Sequence, residues 1–73
     1  MTIRIDARGM RCPWPALRLA RALRDAAPGA TALILADDPI APREIAALAA
    51  ERGWLLRDAG SEGIEIRVPT AAS

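Results

Sequence analysis

Four short stretches of the chain carry the apolar patterns of β-strands. Residues 2–6, TIRID, place two isoleucines on one face, the period-two pattern of a half-buried strand. Residues 30–36, ATALILA, form a continuous apolar run between turn residues, which favours a buried central strand. Residues 54–58 and 63–68, WLLRD and GIEIRV, are joined through AGSEG, whose last glycine opens the second segment, and have the spacing of a β-hairpin.

Two longer segments between these strands repeat their apolar residues at helical spacing. The first has Pro15 near its start and ends before the Pro-Gly pair at 28–29, and its apolar stripe consists of Ala16, Leu19, Ala20 and Leu23. The second begins at Pro42, with Glu44 in the acidic first turn that a helix favours, and stops at Gly53. The pattern therefore predicts one helix before and one after the central strand.

The predicted order β-α-β-α-β-β indicates an α/β (α+β) two-layer sandwich. Each helix has a single apolar stripe, so both helices should cover one face of a four-stranded mixed sheet. The β-α-β units should cross over with the right-handed sense that such units adopt. We find no linker or repeat and expect a single domain over residues 1–73, with a frayed tail at about 69–73.

Composition limits the size of the core and the kind of protein. The 73 residues are 52% hydrophobic but include no Phe, no Tyr and only two Trp, so aliphatic side chains must do the packing. No stretch approaches the roughly 18 uninterrupted apolar residues that a membrane span needs. Strand-like alternation begins at once and leaves no room for a signal peptide. We therefore expect a cytoplasmic protein with no membrane partner, whose cysteine stays reduced.

The net charge of +1 is unevenly distributed along the chain. Residues 1–25 carry six arginines against two aspartates, a net charge of +4, whereas residues 26–73 carry a net charge of −3. All ten basic residues are arginine, a bias that genomic base composition explains as readily as function does. The basic half also contains the single cysteine.

The residue types that are missing exclude several kinds of site. With no histidine and one cysteine, the chain can form neither a His- or Cys-based metal site nor a Cys-His catalytic pair. A thioredoxin-type dithiol is excluded because Pro15 stands where the second cysteine of C-x-x-C would be. We therefore expect no metal and no cofactor, and a cysteine that acts without an internal base or partner thiol.

The cysteine lies in the stretch GMRCPWPALRLA, residues 9–20, at the predicted start of the first helix. A thiolate at a helix N-terminus is stabilised by free N–H groups and by the helix dipole, and a neighbouring arginine adds to this effect. The setting of Cys12 beside Arg11 therefore predicts a lowered thiol pKa and a reactive sulfur.

Two prolines frame this cysteine. Pro13 and Pro15 stiffen the loop and disfavour helical geometry in the residue before each, so Cys12 and Trp14 are expected to be extended. This arrangement indicates an exposed nucleophile that cannot close a disulfide within its own chain. The alternative is an inert cysteine buried at a strand-to-helix turn.

Two blocks of the sequence resemble the TusA-like (SirA/YedF) family of small sulfur carriers. GMRCPWPALRLARAL is similar to the family's Cys-Pro-x-Pro signature, which opens the first helix after a short glycine-containing loop. PGATALILADDPIAPREI resembles the family's second block, in which an apolar strand leads through Asp-Asp-Pro into the second helix. The resemblance extends from about residue 5 to residue 68, nearly the whole chain.

The resemblance implies a sulfur carrier that holds sulfane sulfur as a persulfide on Cys12. Its implied partners are a sulfur donor, either a cysteine desulfurase or a rhodanese-like protein, and an acceptor protein. Members of the family serve tRNA thiolation, cofactor biosynthesis or sulfur oxidation. Such a protein is a sulfurtransferase-type carrier rather than an enzyme that turns over alone, and we expect it to be a monomer.

Other positions that match the family have two interpretations each. Arg11 either stabilises the sulfur anion or is a solvated loop residue. Asp37, Asp38 and Arg43 either recognise a partner or supply turn and capping chemistry around the intervening proline. Gly9 is expected to provide the backbone conformation of the loop.

Residues of the first helix are further candidates for partner docking. Trp14 departs from the family, whose residue at this position varies and is often polar or smaller. Its indole either anchors a partner, as aromatic residues do at interface cores, or folds back over the helix end. Arg18 and Arg21 lie opposite the core stripe, and we expect them to face an acidic partner surface.

Two other classes of function remain open from the sequence. A non-catalytic binding module for RNA or protein would suit the basic N-terminal third, although few aromatic residues are available to stack on bases and direct nucleic-acid binding should be weak. A redox regulator would instead use Cys12 for glutathionylation or dimerisation. Persulfide loading by a donor enzyme distinguishes the sulfur carrier from both.

Overall fold

A computed structural model describes residues 2–70, which fold in the predicted order β-α-β-α-β-β into a sheet layer and a helix layer. The α+β architecture predicted from the hydrophobic pattern is confirmed. The elements are β1 (Thr2–Asp6), α1 (Trp14–Leu23), β2 (Thr31–Leu35), α2 (Ala41–Arg52), β3 (Leu55–Asp58) and β4 (Ile64–Arg67), with a short 3-10 turn (Gly60–Glu62) between the last two strands. Of the predicted frayed tail, residues 71–73 lie outside the described part of the chain.

The sheet is mixed, with strand order β1-β2-β4-β3 over the described residues. β1 pairs with β2 in parallel, and β4 pairs antiparallel with both β2 and β3. The register sets Ile5 beside Ile34 and Ile34 beside Ile64. Because side chains opposite each other across strands share a face, this register collects the isoleucines on one side of the sheet.

The core lies between that face and the two helices. Its buried members from the sheet are Ile5, Ala32, Ile34 and Ile66, and those from the helices are Leu19, Leu23, Ala41, Ile45 and Ala49. The helical stripes and the alternating strand residues therefore meet as the sequence pattern predicted. No buried polar or charged side chain occurs among residues 2–70, so polar chemistry is confined to the surface and its clefts.

The first helix starts one residue earlier than proline geometry suggested. Trp14 was expected to be extended, and this is wrong, because it is the first residue of α1 and its N–H donates to the carbonyl of Arg11 at 2.8 Å. Pro15 follows in the first turn, where the missing N–H has no partner within the helix to lose. The turn that contains Cys12 therefore outweighs the preference of Trp14, the residue before Pro15, for an extended conformation.

Parallel pairing of β1 and β2 determines where the loops and helices begin. The carboxyl ends of parallel strands lie at the same edge of a sheet, so the β1–α1 loop (7–13) and the β2–α2 loop (36–40) leave side by side. The main-chain N–H of Ala7 donates to the carbonyl of Leu35 at 2.7 Å and extends the pairing into the loops. Both helices start at this edge, which contains the cysteine. Neither of them has the length and apolar composition that crossing a membrane requires, and no other α-helix occurs within residues 2–70.

Gly63, the residue immediately before β4, packs closely against the main chain of β2. Its φ is 114°, and a Cβ at this position would collide with the main-chain carbonyl of Ile34. Gly60, in the same connection, has a φ of 64° but open space around it. Both glycines therefore have a positive φ, but only Gly63 is packed closely against the neighbouring strand.

We predict that Gly63→Ala lowers the free energy of unfolding by about 3 kcal/mol, because it adds overpacking against backbone to conformational strain. Gly60→Ala should cost only about 1 kcal/mol, the cost of the left-handed conformation alone. Urea denaturation followed by circular dichroism measures both. An equal loss of unfolding free energy in the two variants would contradict close packing of Gly63 against the main chain of Ile34.

Candidate functional site

Cys12 lies in the last part of the β1–α1 loop, two residues before α1 begins. Its side chain is half-buried, and the thiol is free. The peptide bond to Pro13 is cis, and Pro13 is the N-cap residue of α1. Pro15, in contrast, is fully buried and belongs to the packing of the helix rather than to the surface around the sulfur.

Two carboxylates from the neighbouring loop hold the cysteine loop in place. Asp38 accepts a hydrogen bond from the main-chain N–H of Cys12 at 2.7 Å through Oδ2, and a second from the N–H of Ile40 at 2.9 Å through Oδ1. Asp37 accepts a hydrogen bond from the N–H of Gly9 at 2.9 Å. The adjacent aspartates thus fasten the β1–α1 loop at both ends. Gly9 has the predicted positive φ, 83°.

Glu44 was not among the candidate site residues, yet its carboxylate lies beside the Cys12 thiol. It occupies the first turn of α2 and is half-buried. The sequence suggested only that it stabilises the start of that helix. Parallel pairing of β1 and β2 provided the missing signal, because it brings the first turn of α2 to the same edge as the cysteine loop.

These carboxylates change the electrostatics expected for the thiol. Burial raises the pKa of Cys12, and the charge and hydrogen bonding of Glu44 and the charge of Asp38 raise it further. The expectation of a lowered pKa is therefore wrong, because burial and the carboxylates of Glu44 and Asp38, and not the guanidinium of Arg11, determine the pKa of Cys12. Arg11 instead acts on Asp38, whose pKa is lowered by hydrogen bonds from the N–H groups of Ile40 and Cys12 and by the charge of Arg11.

A raised pKa has a defined chemical meaning at this site. At neutral pH the sulfur is mostly a neutral thiol, and the small thiolate fraction is a stronger nucleophile than a low-pKa thiolate would be. As a leaving group, the same sulfur departs more slowly. Burial and the neighbouring carboxylates therefore disfavour both the free Cys12 thiolate and its departure as a leaving group.

The indole of Trp14 is 61% exposed and does not fold back over the helix end. Leu17, one turn further along α1, is 52% exposed, and Ile40, on the other side of the cysteine loop, is 53% exposed. Exposed apolar side chains that cluster together mark interaction surfaces, whereas single exposed apolar side chains are common on any protein. The thiol is therefore flanked by apolar groups that a partner could cover.

Most of the candidate docking residues line one of two clefts, whereas Cys12, Pro13 and Pro15 line neither. Arg11, Trp14, Arg18 and Arg21 line a groove between β1 and α1. A smaller cleft beside the cysteine loop is lined by Gly9, Met10, Arg11, Asp37, Asp38 and Pro39. Arg43 lines neither of them and is exposed in the first turn of α2.

Comparison with known proteins finds a matching family and a similar solved structure. The sequence model of the family described as "Sulfurtransferase TusA" matches residues 3–68. A crystal structure of a SirA-like protein from Desulfitobacterium hafniense superimposes with a TM-score of 0.69 at 28% sequence identity, covering 90% of this chain and 92% of that one.

We predict that Asp38→Ala loosens the cysteine loop, because the N–H of Cys12 loses its charged acceptor. Amide hydrogen exchange at Cys12 should accelerate about tenfold, the equivalent of one such hydrogen bond. Asp38→Asn keeps an acceptor oxygen and should exchange more slowly than the alanine variant. Asp58→Ala, which removes a comparable carboxylate from the N–H of Gly60, is the matched control and should leave the Cys12 amide unchanged.

A second prediction concerns the charge beside the sulfur. Glu44→Gln removes the negative group that raises the pKa of Cys12, so the pH–rate profile for alkylation by iodoacetamide should move to lower pH and the rate at pH 7 should increase. Glu51→Gln, an exposed change at the far end of α2, should leave the profile unchanged. Arg11→Gln should have a smaller effect than Glu44→Gln, and the reverse order would show that Arg11 controls the thiol.

Proposed function

The chain belongs to the TusA family of sulfurtransferases, and on that premise we propose that it is a carrier which holds sulfane sulfur as a persulfide on Cys12. The observation that carries this proposal is the setting of the only cysteine in the chain. Its main chain is fixed by a carboxylate of the adjacent loop, while its side chain remains partly accessible between exposed apolar groups. A sulfur carrier needs such a thiol, held in position and open to other proteins.

Loading follows from the chemistry of thiol–persulfide exchange. The Cys12 thiolate attacks the terminal sulfur of a persulfide on the donor, the new sulfur–sulfur bond forms, and the donor's own sulfur–sulfur bond breaks. The donor cysteine leaves as a thiolate and takes up the proton that Cys12 has lost. No oxidant or reductant is consumed, because the sulfane sulfur moves between two thiols of equal oxidation state.

Unloading is the same exchange in the opposite direction. A nucleophile of the acceptor attacks the terminal sulfur, and Cys12 departs as a thiolate that is then protonated. Burial and the carboxylates of Glu44 and Asp38 make this departure unfavourable in the free carrier, since they raise the pKa of the leaving thiol. The persulfide is thereby retained until an acceptor engages it. With one cysteine, the carrier also cannot discharge its cargo as an internal disulfide.

The donor that suits this chemistry is a cysteine desulfurase or a rhodanese-like protein, because both present a persulfide on a cysteine. The acceptor is a protein nucleophile, and the carrier supplies no turnover of its own. We place this exchange in the cytoplasm, where a lone thiol stays reduced.

We predict that incubation with cysteine and a cysteine desulfurase, without reductant, adds one sulfur atom to the protein. Intact mass spectrometry should show an increase of roughly 32 Da that dithiothreitol removes. Cys12→Ser is the control and should gain nothing. Absence of the adduct with desulfurase and rhodanese donors alike would contradict the carrier function, and oxidant-induced dimers without the adduct would indicate a redox regulator instead.

A further inference from the structure

We propose that an extended acidic segment of a partner protein docks along the groove between β1 and α1 and pairs with the free edge of β1. This inference rests on the proposed function, since the partner is the sulfur donor. The groove, called here the β1–α1 groove, lies between the edge of β1 and α1. Its lining includes Arg4, Arg11, Trp14, Leu17, Arg18 and Arg21.

The first observation is the position of β1 in the sheet. Within residues 2–70, β1 is the outermost strand and pairs with β2 alone. Three consecutive residues, Ile3 to Ile5, line the groove, although successive side chains of a strand point to opposite faces. A cleft that contacts all three therefore follows the edge of the strand, where unpaired main-chain N–H and C=O groups can accept an added strand.

The second observation is the charge of the groove. Its four charged residues are the arginines Arg4, Arg11, Arg18 and Arg21, and none of them forms a salt bridge within the described residues. Asp6, the acidic residue of β1, is held by Arg8 through hydrogen bonds of 2.8 and 2.9 Å. Arg11 also lines the smaller cleft beside Asp37 and Asp38. Arg4, Arg18 and Arg21 are therefore the guanidinium groups that the groove offers to an incoming chain, and carboxylates are their complement.

The third observation is the apolar surface at the end near the sulfur. Trp14 and Leu17 are more than half exposed, and they lie in the groove beside Met10. Apolar side chains on one face of the incoming strand can contact these residues while its acidic side chains reach the arginines. The five residues of β1 span about 17 Å, so the docking segment needs about five residues of alternating acidic and apolar character.

This geometry places the segment relative to the thiol. The groove runs along α1 toward the β1–α1 loop, and the same loop contains Cys12. Arg11 and Trp14, which flank Cys12 and Pro13 in the sequence, both line the groove, so a segment bound there lies near the loop that carries the sulfur. An RNA strand fits less well, because Trp14 is the only aromatic side chain that lines the groove and stacking on several bases needs more.

The experiment uses the unmodified protein, labelled with ¹⁵N, and the synthetic peptide acetyl-Glu-Val-Asp-Leu-Glu-Ile-Asp-amide. We expect chemical-shift changes and slower amide exchange confined to β1 and to the exposed side of α1. Two further peptides carry backbone N-methyl groups, which replace N–H donors, on alternate residues. In one peptide the methyl groups lie on the edge that would face β1, and in the other they lie on the opposite edge. Strand addition requires that one of them lose binding while the other keeps it, and equal binding of both would overturn the proposal.

Charge-reversal variants test the arginines. Arg18→Glu/Arg21→Glu should weaken peptide binding about tenfold at low salt. Arg24→Glu/Arg67→Glu changes the net charge equally at exposed positions outside the groove, and should bind as the unmodified protein does. Tighter binding of a ten-nucleotide oligouridylate than of the peptide would overturn the proposal in favour of nucleic acid, as would equal weakening in both double variants.

A separate measurement distinguishes failure of this proposal from failure of the carrier function. Inorganic polysulfide can load Cys12 without a docked protein, so both double variants should gain the persulfide from polysulfide as the unmodified protein does. With a desulfurase as donor, only the groove variant should load more slowly. Equal desulfurase loading in both double variants would show that the groove is not where the donor docks, while leaving the carrier function intact.

Discussion

The hydrogen bond from the Cys12 N–H to the Asp38 carboxylate is the contact on which the site depends. It joins two loops that are neighbours only because β1 and β2 pair in parallel and end at one edge of the sheet. Asp37 adds a second bond to the loop at Gly9, so the thiol is presented from a segment fixed at both ends. Without this connection, the cysteine would lie on a loop restrained mainly by its prolines.

The same acidic groups that hold the loop determine how the sulfur behaves. Burial and the carboxylates of Glu44 and Asp38 raise the pKa of Cys12, which keeps the free thiol protonated and would slow discharge of the persulfide that we propose. Arg4, Arg18 and Arg21 lie in the β1–α1 groove, whereas Arg11 lines both that groove and the cleft with Asp37 and Asp38. The charge asymmetry of the chain thus has a spatial meaning, with negative groups controlling the sulfur and positive groups available to a partner.

Much of this arrangement was predictable from sequence, and the errors at the site come from contacts that local sequence does not show. Alternation, a continuous apolar run and helical spacing predict the strands and helices of residues 2–70, although all four residues of β3 are exposed. The Cys-Pro-x-Pro resemblance identifies Cys12, but the local surroundings of the cysteine suggested a lowered pKa. Glu44 lies 32 positions away along the chain, and only the parallel register brings it to the sulfur. Local sequence likewise cannot show that Asp38 bonds to Cys12, since that contact joins separate loops.

The β1–α1 groove also resolves a difficulty that an exposed strand edge creates. A free edge invites pairing with another copy of the same chain, and natural sheets discourage this with charged side chains along the edge. Two β1 edges brought together would oppose the same arginines, Arg4 and its neighbours in the groove, and like charges repel. An acidic segment meets no such repulsion. One set of arginines therefore disfavours self-association and, in the docking that we propose, selects an acidic partner segment close to the loop of Cys12.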